Sequence, residues 1–170
     1  LVGSEMCIRD RTYQATGINI YDKDGAAFTL NGNLDMKVKG VGVDMRGSEK
    51  NAVTIAGGTI FTPDDGEEAS YKAVAATSGT FAMGMNDAKT GSNGKDVVVQ
   101  GTISLGKKGT VDLGLGSSKS RWTGIADNKD GHPMNLYLSD GGMWENRRTS
   151  KDQYGFCLLY TSPSPRDTER

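Results

Sequence analysis

The chain has 170 residues, with 20 Lys and Arg against 21 Asp and Glu, a formal net charge of −1 and one His. That balance supplies no field to draw nucleic acid or an anionic membrane, and a lone histidine cannot build a histidine-rich zinc site. With 24 Gly, 4 Pro and no apolar run near the ~20 residues of a membrane helix, the composition favours short strands and tight turns over helices.

The two ends are set aside first. Residues 157–167 can be encoded by a DNA whose reverse complement, read from its third base, encodes residues 1–10. Two peptides from one inverted repeat are not expected as evolved termini, and the DNA resembles the transposase adapter of short-read library preparation. Residues 1–11 and 157–170 are therefore expected to be adapter-derived and outside the fold argument, leaving 12–156 as the authentic segment, an internal piece of a longer protein. Both cysteines, Cys7 and Cys157, lie in these ends, so no disulfide or thiolate metal site is expected. Four basic and four acidic residues go with them, so the charge balance is unchanged.

In chain order, 12–20 enters a strand through Ile18 and Ile20, and Asp22–Gly25 is a turn. Phe28, Leu30, Leu34, Met36 and Val38 alternate with polar residues, the period of a strand with one buried face, and Asn31-Gly32 interrupts them as a bend or bulge. Val41, Val43 and Met45 continue the alternation, and 47–51 is a polar turn.

A phrase then recurs. Val53-Thr54-Ile55 precedes Gly58-Thr59-Ile60, Val74-Ala75-Ala76 precedes Gly79-Thr80-Phe81, and Val97-Val98-Val99 precedes Gly101-Thr102-Ile103. Both markers advance by 21 to 23 positions. Gly permits a corner and Thr suits a strand. The spacers at 62–70 and 86–95 are polar and are expected to be surface loops; no stretch has a sustained helical period, and the best candidate, 67–76, would make at most one or two turns. The phrase returns as Ile103-Ser104-Leu105, Val111-Asp112-Leu113-Gly114-Leu115, Trp122, Met134-Asn135-Leu136-Tyr137-Leu138 and Trp144. Val111 to Met134 is 23 positions and Trp122 to Trp144 is 22.

A strand phrase with that step predicts a solenoid, an all-β right-handed parallel β-helix with coils of about 22 residues. In that alignment Val53, Val74 and Val97 stack, Ile60 stacks on Phe81 and Ile103, and Trp122 on Trp144. An antiparallel meander or sandwich also fits short alternating strands, but gives no reason for the step.

The residues Gly109-Thr110-Val111-Asp112-Leu113-Gly114-Leu115, Ser120-Arg121-Trp122-Thr123-Gly124 and 135–144 resemble the repeated phrases of a pertactin-like autotransporter passenger domain, most sharply over 52–144. The resemblance implies a surface-displayed, extracellular protein of a Gram-negative-type cell, held to the outer membrane only through a C-terminal barrel absent from this chain. It implies adhesion or self-association, with an unidentified ligand on a host or neighbouring cell, and no enzymatic activity. Alternative readings are a fragment of a β-helical polysaccharide-processing enzyme and a phage or cell-wall structural β-solenoid.

No catalytic, cofactor-binding or metal-binding residue is assigned, and no cofactor is expected. Asp64, Asp65, Glu67 and Glu68 read as a solvated acidic loop rather than a Ca²⁺ site. In 127–131 the first position of a calcium loop would fall on Ala126, which cannot ligate. Gly101–Lys107 approaches a phosphate loop, but Lys108 stands where Ser or Thr is needed. His132 is expected at an exposed turn, Arg147, Arg148 and Lys151 on a solvated face, and Trp122 and Trp144 in a stacked core or cap.

Overall fold

A computed structural model describes residues 5–9, 15–63, 71–128, 132–147 and 158–161, with side chains for all but the first and last of these segments. The described residues form thirteen strands in one sheet and no helix: β1 (Glu5–Arg9), β2 (Ala15–Asp22), β3 (Ala27–Lys37), β4 (Gly40–Gly47), β5 (Ala52–Phe61), β6 (Lys72–Met83), β7 (Val97–Gln100), β8 (Thr102–Leu115), β9 (Arg121–Gly124), β10 (Ala126–Asp127), β11 (Met134–Leu138), β12 (Met143–Asn146) and β13 (Leu158–Thr161). Every pairing between these strands is parallel. Parallel strands cannot be joined by hairpins. The chain meets the requirement by coiling, each strand lying on the one a full turn earlier.

The coil has three faces. On the first, β1, the second half of β3, the second half of β5, β7, β9 and β12 stack in turn. The second stacks β2, β4 and the first halves of β6 and β8, then β10. The third stacks the first halves of β3 and β5, the second halves of β6 and β8, then β11 and β13. Six strands at ~4.8 Å spacing make a rod of roughly 24 Å.

Alternation puts one apolar side chain of each pair inside, and the parallel register sets like on like. Phe28, Val53, Phe81, Val111 and Met134 form one column, with Leu30, Ile55, Met83, Leu113 and Leu136 beside it. Met36, Ile60, Val99, Trp122 and Trp144 form another. Ile18, Val43, Val74 and Ile103 line the second face. Away from the ends these side chains are at most 7% exposed. Each contributes roughly 1.5–3 kcal/mol of burial, and only because a neighbouring coil covers it.

Several local expectations hold. The Asp22 carboxylate accepts the N–H groups of Asp24 (2.7 Å) and Gly25 (3.0 Å), closing the turn. The pairing of β3 with β5 shifts between Leu30 and Asn33, placing the bulge at Asn31-Gly32.

The coil length does not. A full turn takes 25 residues from Phe28 to Val53, 28 to Phe81, 30 to Val111 and 23 to Met134. On the first face Ile60 reaches Val99 only after 39, because two loops intervene. Val53, Val74 and Val97 therefore do not stack: they occupy the third, second and first faces respectively. Ile60 lies between Met36 and Val99, not on Phe81 and Ile103. Gly58, Gly79 and Gly101 are corners with φ of +109°, +89° and +123°, but three different corners of the triangle. The Gly-Thr pair that does stack is Gly79-Thr80 on Gly109-Thr110. The best helix candidate, 67–76, is not helical in its described part, where Lys72–Ala76 opens β6, a strand of 12 residues covered by β4 and β8.

Candidate functional site

Three side-chain arrangements tie one coil to the next. The first is the tryptophan pair. Trp122 is fully buried, and its ring lies on that of Trp144 with centroids 4.9 Å apart and an interplanar angle of 9°. The Trp122 Nε1–H donates to the carbonyl of Gly101 at 3.0 Å, and the Trp144 Nε1–H repeats the bond one coil on, to Gly124 at 3.3 Å. The stacking expected from the 22-residue step is present. Buried indoles need a partner for the N–H, and here the corner carbonyl of the coil below supplies it.

The second is Asn51, which is 1% exposed. Its Oδ1 accepts the Ala26 N–H at 2.8 Å, while Nδ2 donates to the carbonyls of Asp22 (3.1 Å) and Arg46 (2.7 Å). Its own carbonyl accepts the Thr80 N–H at 2.9 Å. One residue thus satisfies backbone groups from three successive coils at the corner between the second and third faces. The sequence marks Asn51 only as the end of a polar turn; a single copy carries no signal of this role.

The third is a set of outward polar pairs at equivalent positions. Asn135 Nδ2 donates to Asp112 at 2.7 Å, and Ser104 Oγ to Asp127 at 3.1 Å. Within β4 itself, rather than between coils, Asp44 is 5% exposed and accepts from Arg46 Nε at 2.9 Å. This hydrogen bond, and then the carboxylate charge, raises the Arg46 pKa above its ordinary value.

The loops that could carry recognition leave the rod at different corners. The 62–70 loop exits between the first and second faces; of it only Thr62 and Pro63 are described, so Asp64, Asp65, Glu67 and Glu68 lie outside the described residues. The 84–96 loop connects the third face to the first. Its start folds back on itself: Met85 bridges Ser92 in antiparallel fashion, and Asn86 Oδ1 accepts the Thr90 N–H at 2.9 Å. Its base is pinned to the rod. Asn93 Nδ2 donates to the Ala56 carbonyl at 2.8 Å, Lys95 Nζ to that of Asn31 at 3.1 Å, and Ser120 Oγ to that of Lys95 at 3.3 Å. The tip, Asp87 to Thr90, is exposed, as are Gly94 to Asp96 nearer the base, and the Tyr137 hydroxyl reaches the tip to donate to the Lys89 carbonyl at 3.3 Å.

Deletion of 87–90 is therefore expected to leave the melting temperature within about 2 °C of the parent, as a change of ≲0.5 kcal/mol would. Asn93→Ala, which strands the Ala56 carbonyl, is expected to cost about 1–2 kcal/mol. Thermal denaturation followed by circular dichroism checks both.

The remaining sequence motifs fall into the frame of the rod. Gly101–Lys107 runs from a corner into β8 and is a strand, not an anion-binding loop. Asn128 closes the turn it starts, its side chain accepting the His132 N–H at 3.0 Å and donating to the His132 carbonyl. His132 is half-buried rather than exposed, because this turn folds it back. Arg147 pairs with Glu145 at 3.1 Å; Arg148 and Lys151 lie outside the described residues. Among the described residues no group of three or more His, Cys, Asp or Glu could hold a metal ion, and no helix is long and apolar enough to cross a membrane, which does not bear on β-barrels. No protein-family model, curated protein or solved structure matches the chain.

Proposed function

We propose that residues 12–156 are an internal piece of a surface-displayed passenger of the pertactin-like autotransporter type, with adapter-derived sequence at either end. The architecture underneath this reading is a β-solenoid. The observation that carries the rest is the coincidence of the family-like phrase with the coil: its two copies fall on consecutive coils in register, Val111 on Met134, Leu113 on Leu136 and Trp122 on Trp144. The absence of cysteine from 12–156 suits a chain that is threaded unfolded through a pore.

The function that follows is mechanical and adhesive, not enzymatic. The rod holds loops such as 62–70 and the tip at 87–90 away from a membrane, where they meet a ligand on another cell. Such a rod suits the task because its stability is a sum over coils, so loops can vary in length without disturbing the core.

The test is the complete reading frame, recovered from the source DNA by amplification outward from the codons for 52–144. A downstream segment of alternating strands sufficient for a membrane barrel, and cleavage of the displayed rod by protease added to intact cells, are expected. A frame that ends in a tail-fibre or cell-wall anchor domain, or a rod protected until cells are lysed, would overturn the reading.

A further inference from the structure

The chain carries the dipeptide Asn-Gly twice, at 31–32 and 93–94. In that dipeptide the Gly nitrogen can attack the Asn side-chain carbonyl, because Gly has no Cβ to hinder the approach and tolerates the backbone rotation it needs. Both copies lie at the corner between the third and first faces, in opposite circumstances. Asn93-Gly94 is tied at each reacting group. Asn93 Nδ2 donates to the Ala56 carbonyl at 2.8 Å, its Oδ1 accepts the Lys95 N–H at 2.9 Å, and the Gly94 N–H donates to Ser92 Oγ at 3.0 Å.

Asn31-Gly32 is the bulge of β3. Leu30 pairs with Ile55 and Asn33 with Gly57, so only Ala56 stands opposite the two residues and neither has a ladder partner on β5. Asn31 is exposed, and its side-chain amide has no hydrogen-bond partner among the described residues. Lys95 brings a charge to the same place. It crosses β5 at Gly57, where a Cβ would stand 3.0 Å from Lys95 Cβ, and its Nζ donates to the Asn31 backbone carbonyl at 3.1 Å. That oxygen belongs to the same peptide group as the Gly32 nitrogen.

We propose that Asn31 is a self-modifying site, converting to aspartate and isoaspartate through a succinimide, with Lys95 promoting the first step. Hydroxide removes the Gly32 N–H proton. The negative charge is shared with the Asn31 carbonyl oxygen, where the Lys95 ammonium meets it. The nitrogen lone pair attacks Asn31 Cγ; the N–Cγ bond forms, the Cγ–Nδ2 bond breaks, and Nδ2 leaves as ammonia after taking a proton from water. Water then opens the ring. Cleavage of the N–Cγ bond gives aspartate, and cleavage of the original peptide bond gives isoaspartate. One water is consumed and one ammonia released, with no oxidant or reductant. In isoaspartate the oxygen that Lys95 holds becomes a carboxylate oxygen, so the product gains an ion pair at the foot of the 84–96 loop.

The test incubates the full 170-residue chain in mildly alkaline buffer, folded and in urea. Each Asn is followed by peptide mapping with mass spectrometry and by an isoaspartate-specific methyltransferase. In the folded chain Asn31 is expected to convert at least ~10-fold faster than Asn93, because three hydrogen bonds must open before Asn93 reacts. In urea the two rates are expected to converge. Lys95→Met is expected to slow Asn31 by about 2–5-fold in the folded chain, the range of an exposed charge contact, and to have no effect in urea, while Lys95→Arg keeps most of the parent rate. Asn93 converting as fast as Asn31 in the folded chain, Asn31 unchanged there over the time in which both convert in urea, or a Lys95→Met rate equal to the parent's would overturn the proposal. The first two outcomes are read on the parent alone, so they decide even if a variant does not fold.

Discussion

Leu113→Asp is expected to abolish the cooperative unfolding transition. Leu113 is 1% exposed, between Met83 in the coil below and Leu136 in the coil above. Truncating such a side chain costs about 2–5 kcal/mol from lost burial and the cavity left behind. A carboxylate at the same point adds the cost of stripping it of water with no partner in a column of aliphatic neighbours. Together these reach the 5–15 kcal/mol that is the whole stability of a typical domain. Thr29→Asp provides the contrast: Thr29 is exposed on the outside of β3 between Phe28 and Leu30, and the change is expected to stay within about 0.5 kcal/mol. Urea denaturation followed by circular dichroism checks both; equal damage from the two would contradict the inward and outward assignment.

Asn51→Ala is the second large effect. The substitution removes one acceptor and two donor bonds at a site closed to water, leaving the Ala26 N–H and the Asp22 and Arg46 carbonyls in need of partners. Each stranded buried group costs about 1–3 kcal/mol, so a loss of roughly 3–5 kcal/mol is expected. Asn51→Asp should recover only the bond to Ala26, because a carboxylate cannot donate to the two carbonyls. Its stability is therefore expected near that of the Ala variant, despite the similar shape. The midpoint of denaturant unfolding for the three proteins measures this; an Asp variant matching the parent would show that the two carbonyl contacts contribute nothing.

The sequence speaks clearly where strand chemistry is local. Alternation identified the inward residues of β3, β5, β8 and β11, and the Asp22–Gly25 turn and the Asn31-Gly32 bulge were legible from residue type. The Trp122–Trp144 stack was legible because the loops there are short and the step equals a coil. Between Val53 and Gln100 the same reasoning misaligned the coils. A strand on any of three faces shows the same alternation and begins after a similar corner, so an interval of 21 to 23 residues is not unique to equivalent positions. With loops at 62–71 and 84–96 lengthening the coil, that interval steps back one face each time, from Val53 to Val74 to Val97. The faces become distinguishable only through pairing partners, which sequence spacing does not contain. Asn51 was hidden for a related reason: its bonds reach 25 and 29 residues back, to groups that belong to the backbone and leave no mark on residue type.

The register itself is open to direct test by disulfide formation. In a background where Cys7 and Cys157 are Ser, Thr80→Cys with Thr110→Cys places two thiols on adjacent parallel strands, within the Cα separation a disulfide requires. Thr59→Cys with Thr80→Cys uses the pair that the 21-residue repeat would stack, but those residues lie on the first and third faces. Mild oxidation of the folded, dilute protein, read by mass change and mobility on non-reducing gels, is expected to close the first pair intramolecularly and leave the second as free thiols. Closure of the Thr59 and Thr80 positions, or failure of Thr80 and Thr110 to join, would contradict the three-faced coil.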